Sequence, residues 1–389
     1  MRRNVSTSPG TRRRGASRAV ACALTAAGAL LVSALQTGAA GAAGPAGTDA
    51  ASASVRTGTG APSSVADFWT AERMREATPL DLLSAGTDGS AKRSATAENR
   101  SAAAKSRSAT AEKRPATAEK RSSSAAGANP ATTPTRRGSE RTVRPTLPAT
   151  ATSTPASAPA PKSFPQAGAP WTGDGAVTNT AGRVFFTYQG RTASCSGNAV
   201  TSANKSTVLT AGHCVKLNGA WHGDWVFVPG YHDGQAPYGK WAAAKTLATP
   251  QWTASENINY DIGAAVVAPV GGQRLTDVVG GQGLAFNTGY NKPMYAFGYP
   301  AAAPYDGSKL IYCSGNTIKD PLFSTDHGLS CNMTGGSSGG PWFTSFDEAS
   351  GTGLQSSVNS FGYTFLPNTM FGPYFGDDAE NLYDEAQSS

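Results

Sequence analysis

From residue 183 onward the chain is a succession of short runs of β-branched and aromatic residues, each cut off by Gly, Pro, Asn or Asp. Residues 183–188 (RVFFTY), 208–210 (VLT), 225–228 (WVFV), 264–267 (AAVV), 294–297 (MYAF) and 354–358 (LQSSV) are the clearest. Runs this short and this punctuated predict strands joined by turns, and their recurrence predicts an all-β barrel or sandwich. The stretch holds no G-x-G-x-x-G, no zinc-like Cys/His spacing and no long amphipathic helical pattern. Near the end, Asp377 followed by Glu380 predicts a capping box over a short helix reaching Tyr383 or beyond. The roughly 225 residues from 164 to the end are ample for two small barrels or one large β domain.

What precedes that part is a different material. The 389 residues carry 33 Lys plus Arg against 26 Asp plus Glu, a net charge of +7. Residues 1–163 hold 23 of the basic and 10 of the acidic residues, leaving 10 basic and 16 acidic for residues 164–389. The basic charge therefore belongs to the N-terminal part, and the folded part makes no electrostatic case for binding nucleic acid. Residues 1–42 resemble a secretory signal, with Arg2, Arg3, Arg12, Arg13, Arg14 and Arg18, then the apolar stretch 19–35, then Ala40-Gly41-Ala42. The apolar stretch is short and Ala-rich for a bilayer span. Export, an extracellular location and no membrane attachment after signal removal are the expectation.

Between the signal and the folded part, residues 63–83 carry a helical pattern. Ser63 or Ser64 is placed to cap it, with Val65, Phe68, Trp69 and Met74 on one face. Two readings stand: a pro-segment helix docked on a partner surface, or a nascent helix in a disordered leader. A seven-residue repeat begins at Arg93, Arg100, Arg107 and Arg114, but it has no Leu, Ile or Val and so no seam for a coiled coil. Residues 122–161 are Ala, Thr, Ser and Pro with a few arginines, which cannot bury enough apolar surface to offset ordering. They read as a disordered, removable linker with Arg136-Arg137 as a processing site. The expected organisation is a signal over 1–42, a pro-segment and linker over 43–163, and one folded domain over 164–389. With Cys22 in the signal, Cys195, Cys214, Cys313 and Cys331 remain, and four cysteines allow three pairings. The sequence-local pairing would close two loops worth roughly 3 kcal/mol each in the chain-entropy model.

The chemistry lies in Gly335-Gly336-Ser337-Ser338-Gly339-Gly340-Pro341. Gly-Ser runs are often linkers, but glycines on both sides of a serine also let the backbone turn tightly and aim N–H groups at a developing oxyanion. A serine nucleophile needs a base, and the base needs an acceptor. Of His213, His222, His232 and His327, only His213 stands where a strand ends in a turn beside a cysteine, in Thr210-Ala211-Gly212-His213-Cys214. His222 and His232 read as loop packing and His327 as a turn residue. Asp261, in Tyr260-Asp261-Ile262-Gly263, opens a buried apolar run, where a carboxylate is costly unless paired. The serine also fits the G-x-S-x-G elbow of α/β-hydrolases, but that class needs a histidine after the serine and none follows Ser338.

The three blocks around His213, Asp261 and Ser338, in that order, resemble the chymotrypsin/trypsin-like serine peptidases, in particular the secreted bacterial branch related to glutamyl endopeptidases. The resemblance implies two packed six-stranded antiparallel β-barrels with the site between them, and a short C-terminal helix follows. It implies Ser338 as nucleophile, His213 as general base and acid, Asp261 as its orienter, and the N–H groups of Gly336 and Ser338 as the oxyanion hole. Cys195–Cys214 would match the family's disulfide beside the histidine. Asn332 and Met333 would lie at the base of the specificity pocket. Asn359 would lie beside Ser360-Phe361-Gly362, along which substrate adds as an antiparallel strand. Ser337 stands where trypsin-like members carry the Asp that pairs with the new N-terminus, so pro-segment removal would act by unblocking the cleft. The expected function is a secreted serine endopeptidase, made as a pre-pro-protein, monomeric, acting on polypeptides with no cofactor or metal. Its own pro-segment is the expected intramolecular inhibitor. The alternatives are a protease-fold binding protein with an unused triad, or an esterase using the same residues.

Overall fold

The computed structural model describes residues 54–57, 60–84, 138–148 and 164–389. The signal-like stretch, the repeats and Arg136-Arg137 lie outside them. Each of the six sequence runs lies within a strand. Ala181–Tyr188, Arg191–Ala199, Thr207–Thr210, Gly263–Val267, Trp241–Ala248 and Gly223–Pro229 pair antiparallel in that cyclic order and close a six-stranded barrel. Period-two alternation explains why these runs are apolar throughout. Val184, Phe186 and Phe227 point into the main core, while their neighbours Phe185, Val226 and Val228 form a second apolar cluster.

That second cluster is completed by residues 62–77. Pro62–Phe68 and Ala71–Glu76 are short helices whose Val65, Trp69 and Met74 are buried with Phe185, Val226 and Val228. Of the two readings of residues 63–83, the structure shows docking. The first helix is capped by Ala61 without a side-chain bond, and Ser64 bonds back to the Ala61 carbonyl instead.

The other half is built on a second, larger sheet. Its strands run Arg141–Val143, Gly283–Phe286, Thr352–Val358, Pro341–Asp347, Pro293–Gly298, Ile311–Asn316 and Gln166–Pro170, a seven-stranded sheet with one parallel pair, Gly283–Phe286 with Thr352–Val358. Ile318–Lys319, His327–Ser330 and Thr369–Gly372 form a separate three-stranded sheet. The first of the seven strands comes from the stretch read as disordered linker. Residues 141–143 pair antiparallel with Gly283–Phe286, and Arg141 reaches Glu380 at 2.9 Å and Asp384 at 2.7 Å on the C-terminal helix. That helix spans Asp377–Gln387 and buries Ala379, Leu382, Tyr383 and Ala386. The expected capping box does not form. Gly376 is the cap, and the Asp377 carboxylate takes a hydrogen bond from Asn287 at 2.7 Å. Both disulfides follow the sequence-local pairing, Cys195–Cys214 and Cys313–Cys331. Among the described residues no helix is long and apolar enough to cross a membrane.

Candidate active site

Strand register brings the first two site residues together. Gly263 pairs with Thr210, so Asp261, two residues before Gly263, comes level with His213, three after Thr210. A Cβ at Gly263 would lie 2.6 Å from the Ala211 carbonyl oxygen, and one at Gly212 would lie 2.7 Å from the Trp252 ring. Only glycine permits the two segments to approach this closely. His213 sits in the 3₁₀ turn Gly212–Cys214, fully buried, as is Asp261. The His213 backbone N–H donates to Asp261 Oδ1 at 2.7 Å, and its Nδ1 lies 2.7 Å from Oδ2. Ser360 Oγ donates to the same Oδ2 at 2.6 Å. A carboxylate only accepts, so Nδ1 carries a proton and donates it to Oδ2. Three donors offset the cost of burying that carboxylate.

Ser338 arrives from the other half. Gly336 and Gly339 have φ of +95° and +80°, the left-handed region that glycine adopts without strain. At Gly339 a Cβ would lie 2.1 Å from Thr210 Oγ1 and 2.5 Å from the Ser196 carbonyl oxygen, so the turn is wedged against the barrel. Ser196 N–H donates to the Ser338 carbonyl at 2.7 Å, and Cys214 Sγ, held in its disulfide, touches that oxygen at 3.6 Å. The residue after His213 thus rests on Ser338. Ser337 is buried, and its hydroxyl donates to the Thr334 carbonyl at 2.7 Å.

Residues 78–84 of the same chain lie across these residues. Gly336 N–H, one of the two expected oxyanion donors, bonds the Leu80 carbonyl oxygen at 2.8 Å. Ser338 Oγ points at the same oxygen from 3.5 Å, while among the described residues the buried His213 Nε2 has no hydrogen-bond partner. Leu82 is buried in the apolar cluster that includes Phe361 and Tyr363.

The expected pocket residues divide. Met333 is buried, and Asn332 is exposed with its Oδ1 accepting from Tyr305 at 2.6 Å. Asn359 is fully buried and braces the nucleophile turn. Its amide nitrogen donates to Phe297 O at 2.8 Å and Ser337 O at 3.0 Å, and its oxygen accepts from Trp342 at 2.7 Å. Phe361 stacks on Phe371, with ring centres 5.2 Å apart, and Gly362 N–H donates to the Leu82 carbonyl at 3.1 Å. Ser360, expected along the substrate strand, is also the third donor to Asp261, a role that its sequence position did not signal.

A closed antiparallel barrel carrying a buried His–Asp pair, facing a sheet whose glycine-flanked serine turn wedges against it, defines a serine peptidase of the chymotrypsin-like fold. No family model matches the chain. The solved protease Anisep from Arthrobacter nicotinovorans is 44% identical, with a TM-score of 0.53 over 57% of this chain and 100% of that one. The thermostable serine protease AL20 from an extremophilic microorganism is 42% identical, with a TM-score of 0.52 over 55% of this chain and 99% of that one. This chain belongs to the bacterial serine proteases of that fold. A Bacillus subtilis protein described as an extracellular metalloprotease is 37% identical over 71 residues, 18% of this chain and 22% of that one. The match thus spans under a quarter of that relative's length. Its metal does not fit the donors here. Among the described residues the one group with ligand spacing is Cys195, His213 and Cys214, and two of its three donor atoms are joined in a disulfide.

Proposed function

We propose that the chain is a secreted serine endopeptidase, synthesised as a pre-pro-protein, that cleaves polypeptides through His213, Asp261 and Ser338. The observation that carries the reading is the fully buried hydrogen-bonded chain from Ser360 through Asp261 to His213, whose remaining ring nitrogen, among the described residues, makes no hydrogen bond. In the mechanism, Ser338 Oγ attacks the scissile carbonyl carbon as His213 Nε2 takes its proton. Asp261 stays ionised and stabilises the imidazolium through the Nδ1–H bond. The negative charge that moves onto the carbonyl oxygen is met by the N–H groups of Gly336 and Ser338, and losing one such donor typically costs about 100- to 1,000-fold in rate. His213 then protonates the leaving amine, the acyl-enzyme forms, and water reverses the sequence. The resemblance implies that residues 332, 333 and 360–362 border the site on the acyl side. No Asp stands at Asn332 or Met333 to read Arg or Lys, and Asn359 is committed to the backbone, which supports a pocket selecting uncharged side chains.

The test is to express the full chain, allow it to process, and incubate it with casein, a peptide library, simple esters and a fluorophosphonate probe. The expected result is labelling of Ser338, loss of labelling in Ser338→Ala, and peptide-bond cleavage. Ester turnover without peptide cleavage would favour an esterase, and no labelling would leave only the binding-protein reading.

A further inference from the structure

We infer that residues 60–84 are an inhibitor that the cleft takes up backwards, anchored by Trp69 in a socket on the outside of the barrel. The inference rests on the catalytic reading above. Substrate in this fold is expected to add antiparallel to 360–362, yet the pro-segment pairs parallel at both ends of the cleft. Thr78 and Pro79 lie opposite Ala193 and Ser194, and Leu83 and Ser84 lie opposite Gly362 and Tyr363. The bonds agree with the register: Leu80 N–H to Ser194 O at 2.9 Å, Gly336 N–H to Leu80 O at 2.8 Å, and Gly362 N–H to Leu82 O at 3.1 Å.

Polarity decides whether such a strand is cut. With the Leu80 oxygen held by an oxyanion donor, reversal of the chain moves the nitrogen of the Leu80–Asp81 bond to the Gly362 side of the carbonyl. An antiparallel substrate presents its leaving nitrogen on the Ser194 side. A general acid placed for one flank cannot protonate the other, and an amide does not expel its nitrogen unprotonated. The serine hydroxyl faces Leu80 O at 3.5 Å, and among the described residues His213 Nε2 makes no hydrogen bond with it. The bound carbonyl therefore fills the oxyanion site without becoming an acyl donor.

Two parallel ladders of two residues each are a weak hold, and Trp69 supplies the rest. Its indole is fully buried, with Nε1 donating to Asp224 O at 2.6 Å and its ring 5.5 Å from that of Phe185. Lys240 Nζ bonds the Trp69 carbonyl at 3.1 Å. Val65, Met74 and Ala77 close the same apolar cluster over Phe185, Val226, Val228 and Tyr231. A buried tryptophan with a satisfied N–H is the kind of residue that dominates a protein interface.

Two measurements on the full chain test this. First, a photo-crosslinking amino acid is placed at position 78 or at position 84 in a Ser338→Ala background. Parallel threading predicts crosslinks from 78 to the strand around Ala193 and from 84 to the segment around Tyr363. Exchange of these two targets would overturn the proposal, as would the absence of crosslinks to either. This arm keeps the anchor intact, so it reads polarity even where removing the anchor impairs folding. Second, the rate of fluorophosphonate labelling of Ser338 is compared in the wild-type precursor and in Trp69→Ala. Loss of the anchor is expected to speed labelling roughly 30-fold, with the Leu80–Asp81 bond intact by mass spectrometry in the docked wild-type precursor. Equal labelling rates, or cutting at Leu80–Asp81 while docked, would refute it. Failure of every form to label, the processed enzyme included, counts against the catalytic reading instead, and the crosslinks then decide the docking alone.

Discussion

At the scale of single residues, the most telling departure from sequence expectation is His327. In Ser324-Thr325-Asp326-His327-Gly328 it reads as a turn residue, because Asp and Gly flank it. It in fact opens the strand His327–Ser330, fully buried, with its ring 5.1 Å from Tyr290 and 5.5 Å from Tyr374. Gly328 is glycine because Phe371 on the neighbouring strand covers it; a Cβ there would lie 3.0 Å from that ring. Burial alone pushes the His327 pKa down to about 4, and among the described residues neither ring nitrogen has a partner. The sign follows from linkage. Above pH 6.5 the imidazole is neutral in both folded and unfolded chains and adds no pH dependence. Between pH 6.5 and 4 only the unfolded chain takes the proton, so stability falls with falling pH, by about 3 kcal/mol in all. Neighbouring Asp326 acts in the opposite sense. Burial first, then the charges of Asp261 and Asp320, raise its pKa well above the usual carboxylate range, so its contribution falls as pH rises. Denaturant unfolding at pH 7 and pH 4.5 should show that His327→Phe removes most of the loss on the acid side. An unchanged pH profile would mean that the ring is not held neutral by burial.

At the scale of elements, what was legible was what local pattern can encode. The six strand runs, the C-terminal helix and each of the three blocks around His213, Asp261 and Ser338 rest on residues close together in sequence. What was missed rests on partners far away. Arg141 lies in Ala-, Thr- and Pro-rich sequence with no apolar periodicity, and its strand is fixed by Glu380 and Asp384, some 240 positions on. Leu80 shows nothing in sequence beyond an apolar residue after proline, because its role depends on a carbonyl oxygen, which every residue has. The chymotrypsin-like architecture was legible through the resemblance, while the pairing of strands 141–143 and 166–170 at the two ends of the seven-stranded sheet was not. Arg141→Ala should loosen the added strand while leaving the active site untouched. Its ion pairs are partly exposed, so the expected cost is about 1 kcal/mol, or roughly 2–4 °C in Tm for a domain of this size. Amide exchange at Thr142 and Ala285, which face one another, should quicken. Loss of catalytic rate instead would mean that this edge is coupled to the cleft.

At the scale of the whole molecule, the site exists only where the two halves meet, and Ser196 is the joint. Its strand belongs to the closed barrel. Yet its backbone N–H holds the Ser338 carbonyl at 2.7 Å, its hydroxyl donates to the Gly336 carbonyl at 2.9 Å, and that hydroxyl accepts from Tyr299 N–H at 2.9 Å. Nearby, Asn198 on the same strand donates to Gln355 of the second sheet at 2.8 Å, also fully buried. The halves are thus registered by buried polar bonds as well as by apolar packing, and such bonds fix geometry because leaving one unmade is costly. Ser196→Ala removes one hydroxyl and strands two buried backbone groups, a donor at Tyr299 and an acceptor at Gly336. The expected destabilisation is about 1–3 kcal/mol. The kinetic consequence is more specific. The Gly336 N–H that should stabilise the oxyanion belongs to the residue whose carbonyl Ser196 holds, so the loss falls on the transition state more than on substrate binding. Steady-state kinetics of the processed variant should show kcat reduced by roughly tenfold or more with KM little changed, as expected when an oxyanion donor is mispositioned. A rise in KM at constant kcat would place the effect on substrate docking and contradict Ser196 as the element that aligns the two halves for chemistry.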